Sequence, residues 1–291
     1  MKLSNVFLSL TLISFSSQIF SAEKYKREPE SCFPVSDIRY EKGVKSFGEG
    51  LSEEEFNQII DSAISIMSPE VKKILNKELI IDKRWSDPTV DAFATRDDSN
   101  NAVVVMNGGL ARHPLMTKDA FLLLICHEIG HHLGGAPKML RGTSGLRGWS
   151  SAEGQADYYA TSKCLPLFYK TGIDIKMFEP EQDSGDYKTA LSKCSDNACA
   201  RVVLAGLTVS KVFASLVNGY PVPQLNTKDM TKVSKTIYNH PGAQCRLDTF
   251  SSGALCEKSN DRPFDINDPK IGACLNDSDK RPDCWFQKND F

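Results

Sequence analysis

Five residues near the middle of the chain, His127-Glu128-Ile129-Gly130-His131, combine two imidazoles and a carboxylate at helical spacing. Side chains four apart on a helix project from one face about one turn from each other. Two histidines placed that way can converge on a single metal ion, and zinc takes imidazole nitrogen at ~2.0–2.1 Å. Glu128 then falls beside the ion, where a general base for an attacking water belongs. The competing reading is a helix that merely carries core or surface histidines. The apolar run before the pair, Phe121 to Cys126, favours the metal, because it supplies the buried body such a site needs.

A third ligand decides the class. The arrangement with a third histidine six residues after the second is excluded, since Pro137 occupies that position. The other solution is a carboxylate on a following helix. Glu153 fits, being the one glutamate between Glu128 and Glu179. It completes a set of two histidines and one carboxylate with an open fourth position. Asp157, one turn on, is placed to accept the second ring proton of a liganding histidine and fix its tautomer. Each has a plainer alternative. Ser150-x-x-Glu153 is also a capping box, which needs Glu153 only at a helix N-terminus, and Asp157 could be a solvated charge. His132 points about 100° away from His131 and is read as a neighbour.

The elements that must hold these residues are marked by punctuation. Ser52 followed by Glu55 opens a helix with Phe56, Ile59, Ile60, Ala63 and Ile66 on one face, and Ser68-Pro69-Glu70 predicts a second helix start. Short β-like runs follow at 79–81, 92–95 and 102–106, the last ended by Asn107-Gly108-Gly109. A long helix is expected from Thr117 to Gly134-Gly135, then a loop over 138–149, then helices over 151–170 and 198–217. Pro241 can begin another helix. The predicted fold is α+β, mainly helical around a small sheet, and stabilised by disulfides. Its domain spans residues 23–260, and an irregular cysteine-stapled tail covers 261–291.

Composition narrows the function classes. Apolar residues at 41% and charged residues at 25% are globular values. A net charge of −2 leaves no basic surplus, so nucleic acid is not an expected partner. Lys2, the apolar run 6–15 and Ser21-Ala22 read as a signal peptide over residues 1–22, with no stable transmembrane segment after its removal. The expected location is therefore periplasmic or secreted. All nine cysteines follow that segment, which in an oxidising compartment predicts disulfides. Cys126, inside the apolar helix, is the expected free thiol. Cys194–Cys199, Cys245–Cys256 and Cys274–Cys284 are the short-range pairings to look for.

Four segments together resemble the gluzincin-type zinc peptidases that include the CAAX prenyl endopeptidases, HtpX and the BepA-like periplasmic peptidases. They are Asp91-Ala92-Phe93-Ala94 with Asn101 to Leu110, Cys126 to Leu133, Glu153-Gly154-Gln155-Ala156-Asp157, and His240-Pro241 with Arg246. They span roughly residues 90–250 in the family's order. Asp91 stands where the family usually has Asn, and the 138–149 loop, the cysteine-rich tail and the lack of membrane helices all depart from the pattern. The resemblance implies that His240 approaches the site, to stabilise an oxyanion or bind substrate backbone, and that Arg246 pairs with Asp157 or a neighbouring carboxylate. The plainer alternative for His240-Pro241 is a helix start.

The expected activity is hydrolysis of peptide bonds with one Zn2+ per chain, bound by His127, His131 and Glu153, with Glu128 as general base. A peptide substrate is expected to add as a strand along an edge formed by Ala102, Val103, Val104, Val105 and Met106. Two other classes compete. One is a zinc-binding chaperone or interaction protein of the cell envelope, and the other is a disulfide-stapled interaction protein with an accidental histidine pair.

Overall fold

A computed structural model describes residues 25, 33–34, 36–43, 50–141, 146–170, 184–257 and 262–291. Residues 1–22, the segment read as a signal peptide, lie outside them. The architecture is mixed α+β. Helix α1 (Glu53–Leu75) opens on the expected box: Glu55 N–H donates to Ser52 Oγ at 3.2 Å, and Ser52 N–H donates to Glu55 Oε2 at 2.9 Å. The predicted break at Pro69 does not occur, because α1 runs through it. Proline removes one helical hydrogen bond, but Phe56, Ile59, Ile60, Ala63, Met67 and Val71 form one buried face on both sides of it. That packing outweighs the local defect.

Three strands follow, β1 (Leu79–Arg84), β2 (Ala92–Arg96) and β3 (Ala102–Asn107), in the order β1-β3-β2. β3 runs parallel to β1 and antiparallel to β2. Its alternate residues face two cores. Ala102, Val104 and Met106 join the main core, while Val103 and Val105 meet Phe93 and Tyr25 on the other face. The edge expected at 102–106 is therefore a correction: these residues form the central strand, hydrogen-bonded on both sides, and offer no backbone to a peptide. Five apolar residues in succession read equally well as an edge or a centre, so composition alone could not tell the two apart.

A short turn of helix, α2 (Gly108–Ala111), leads to α3 (Lys118–Leu133), which is capped by Thr117 Oγ1 and lies at the centre of the molecule. The loop expected over 138–149 is instead a hairpin, β4 (Lys138–Arg141) and β5 (Leu146–Ser151). Trp149 holds it down. Its ring stacks on His132 at 4.6 Å, and the Arg96 guanidinium covers it at 4.7 Å.

Beyond the hairpin come α4 (Glu153–Tyr159), a π-helical turn (Ala160–Cys164) and α5 (Leu165–Lys170). They are followed by α6 (Gly185–Lys193), α7 (Asn197–Ser215) and α8 (Ala243–Ala254). No sequence signal had marked α6. α7 is long and apolar enough to cross a bilayer, with mean hydropathy 1.4, yet 67% of that stretch is buried in the fold.

Among the described residues four disulfides close the structure and fit an oxidising environment. Cys194–Cys199 forms as expected. Cys126 is not free but bonded to Cys164, which ties α3 to the π-turn. The other two pairs are Cys245–Cys284 and Cys256–Cys274, replacing the short-range pairings. Cys245 on α8 and Cys256 just beyond its end are thereby joined to the C-terminal segment. Cys32 lies outside the described residues.

His113 gives the fold a pH dependence. Its Nδ1 accepts from Leu115 N–H at 3.2 Å, and Nε2 meets Ser215 Oγ at 3.1 Å, so the neutral ring uses both nitrogens. Burial pushes its pKa from 6.5 to about 4. The unfolded chain takes up this proton first, so the contribution is complete above about pH 6.5 and declines as pH falls toward 4. Thermal melts should lose Tm more steeply across that window in wild type than in His113→Asn. Parallel slopes would contradict the assignment.

Candidate metal centre

α3 carries His127 and His131 on one face, and α4 brings Glu153 against them. The helices approach closely because position 130 is glycine: a Cβ there would stand 2.9 Å from the Ala156 carbonyl oxygen. His127 Nε2 lies 3.2 Å from Glu153 Oε2, and His131 Nε2 lies 3.6 Å from Glu153 Oε1. One donor atom from each residue falls within 4.8 Å of the others, and all three residues are buried. The imidazole planes stand at 87°, so their nitrogens meet at a common point without stacking.

The surroundings fix which nitrogen each ring presents. His127 Nδ1 is 2.7 Å from Asp157 Oδ1, so Nδ1–H donates and the Nε2 lone pair faces Glu153. Asp157 in turn receives Arg246 Nε at 2.9 Å and Nη2 at 2.7 Å in a two-pronged pair. The expected partnership of Arg246 with Asp157 is thus present. Both residues are sealed from solvent, and the guanidinium lies over Phe213 at 5.0 Å. For His131, Nδ1–H donates to the Ser151 carbonyl at 2.9 Å, and Ser150 Oγ is also 3.0 Å from Nδ1. These two serines had been missed, because Ser150 read as a helix cap. In fact α4 is preceded by Ala152 with no side-chain cap, so Glu153 is released from the capping role.

His240 also arrives at the site. Glu153 N–H donates to the Tyr238 carbonyl at 3.1 Å, which straps the 238–240 segment to the start of α4. His240 Nε2 then lies 3.4 Å from Glu153 Oε2. Its side chain is 22% exposed and is the most open of the group. Glu128 is fully buried beside His127. His132 stays outside the cluster, with Nε2 3.2 Å from the Val103 carbonyl oxygen.

The electrostatics suit a cation. Burial opposes ionisation of Glu153, but the imidazoles of His240, His131 and His127 outweigh it and hold the carboxyl below its usual range. Burial lowers His131 to about 4, so its ring is neutral at neutral pH. Burial likewise raises Asp157, and Arg246 and His127 bring it back below its usual value. An ionised carboxylate facing neutral imidazoles is the protonation state a metal ion requires. Among the described residues, no well-formed hydrogen bond reaches His131 Nε2, either Glu153 oxygen or His240 Nε2. Buried polar atoms of this kind, turned toward one point, call for an ion or water. The donor set, two imidazoles and one carboxylate, suits a metal ion. A second group, Asp229 with Cys245 and Cys284, is ruled out because those two sulfurs are bonded to each other.

Replacing Asp157 with Asn should weaken metal binding by about 10–100-fold, as losses behind a liganding histidine generally do. Arg246→Met should cost about 3–5 kcal/mol of stability, because it leaves a carboxylate buried without its cation. Chelator competition and chemical unfolding measure the two effects, and unchanged values would remove the pair from the site. No protein-family profile, curated protein or solved structure matches the chain.

Proposed function

We propose that this chain is an exported zinc-dependent endopeptidase with a zincin-like fold, related to the gluzincin-type peptidases that its four sequence segments resemble. The convergence of His127, His131 and Glu153 next to a buried Glu128 is the observation that carries this reading. A zinc ion held by those three residues would supply Lewis acidity at the scissile carbonyl and acidify water toward neutral pH. Glu128 takes the proton of the attacking water as its oxygen bonds to the carbonyl carbon. The same carboxyl then returns the proton to the amine as the C–N bond breaks. Burial lowers the pKa of His240, which favours a neutral ring able to donate N–H to the developing oxyanion. Asp157 and Arg246 act through His127 by holding its tautomer.

The peptide is assigned to β2 in place of β3. β2 stands at the end of the sheet order and runs antiparallel to its neighbour, so an extended substrate can pair along it. One observation favours the second reading, a zinc-binding envelope chaperone or interaction protein without proteolysis: Glu128 and His127 are fully enclosed. Turnover separates the two.

Purified mature protein should hold about one zinc per chain, and Glu153→Gln should hold far less. Glu128→Gln should keep its zinc and lose peptide hydrolysis by about two to four orders of magnitude. Equal zinc in wild type and Glu153→Gln would return Glu153 to a structural role. Undiminished turnover in Glu128→Gln would dismiss the assigned base, and zinc without turnover in wild type would favour the second reading.

A further inference from the structure

The helix turn between Glu153 and Asp157 is gripped from behind by the C-terminal segment. Gln155 is fully buried, two residues from each carboxylate. Its Nε2 donates to the Gly134 carbonyl at 2.6 Å, at the end of α3 three residues past His131. Its Oε1 accepts from Arg281 Nη1 at 2.9 Å. Arg281 is only 3% exposed, and it also donates to the carbonyls of Ala136 and Pro269. Its guanidinium lies 4.1 Å from the centre of the Phe286 ring. Gly154 meets Trp285 so closely that a Cβ there would stand 2.4 Å from the indole. Cys284, next to that indole, is bonded to Cys245, the neighbour of Arg246.

We propose that Arg281 and Gln155 are positioning residues of the metal centre, fixing the end of α3 against the start of α4 and so the distance between His131 and Glu153. This inference rests on the metal reading of those ligands. Neither side chain touches the donor atoms. Gln155 bridges the two ligand-bearing helices, and Arg281 holds the amide in the only orientation that donates to Gly134. Among the described residues no carboxylate forms a salt bridge with Arg281; its guanidinium meets amide and carbonyl oxygens, so little ion-pair energy offsets its desolvation, which makes it a poor device for stability alone. Its effect is geometric: one planar fork joins the turn after α3, the α4 amide and the 269 loop. The tail expected to be an irregular appendage thereby becomes part of the site's support.

The test is zinc affinity of the full mature chain by chelator competition, with the visible spectrum of the Co2+-substituted protein as a report on ligand geometry. Gln155→Met and Arg281→Met should each weaken zinc by about tenfold or more and alter the Co2+ bands. The double variant should be no weaker than the worse single, because both act through one bridge. Gln155→Glu keeps an acceptor for Arg281 but cannot donate to Gly134, and it too should bind zinc less tightly. Lys280→Met, at the exposed neighbour, should match wild type. Folded variants whose zinc affinity stays within about twofold of wild type, or additive losses in the double variant, would overturn the inference. If Arg281→Met does not fold, Gln155→Glu decides alone. A wild-type protein that takes up no zinc overturns the metal reading itself.

Discussion

Asp157 is a carboxylate with no access to water, and the rest of the site is arranged around keeping its charge. Moving such a group out of water costs several kcal/mol even after relaxation, so it must be met by opposite charge and hydrogen bonds in good geometry. Arg246 meets it with two bonds, and His127 makes a third contact. These three residues lie on α4, α8 and α3, so the helices are locked in one register. Any slip of α8 would strand a buried charge. In that register His127 must turn Nε2 toward Glu153, which is how a structural constraint on one carboxylate becomes the orientation of a candidate metal ligand.

Packing then sets the remaining distances. Gly130 lets α4 come close to α3, and Trp285 presses on the same turn from the other side at Gly154. The β4–β5 hairpin delivers Ser150 and Ser151 to His131, and it is anchored by Trp149 between His132 and Arg96. Cys126–Cys164 and Cys245–Cys284 each place one sulfur directly beside a site residue in the chain. Cross-links of this span restrict the unfolded chain and contribute about 2–4 kcal/mol each. They also tie down the helices that present the ligands.

Much of this was legible in the residues, for local reasons. His127, His131 and Glu128 sit at a helical spacing, and Thr117 and Gly134 mark the ends of their helix. Glu153 and Asp157 repeat the same one-turn interval. What could not be read depends on partners distant in the chain. The order β1-β3-β2 is a property of pairing, and 102–106 looked like an edge because a short apolar strand carries no mark of how many neighbours it has. Ser150 satisfied a local capping pattern while its real partner was the His131 ring. Apart from Cys194–Cys199, cysteine pairing followed the packing of distant elements and not proximity along the chain. Pro69 carried a strong local signal that a continuous buried face overrode.

Zinc-edge X-ray absorption on the purified protein reads out whether two imidazoles and one carboxylate hold a metal in the site. The expected shell has two imidazole nitrogens and oxygen donors at ~2.0–2.1 Å, with no sulfur. A sulfur shell at ~2.3 Å, or the absence of tightly held zinc, would contradict it.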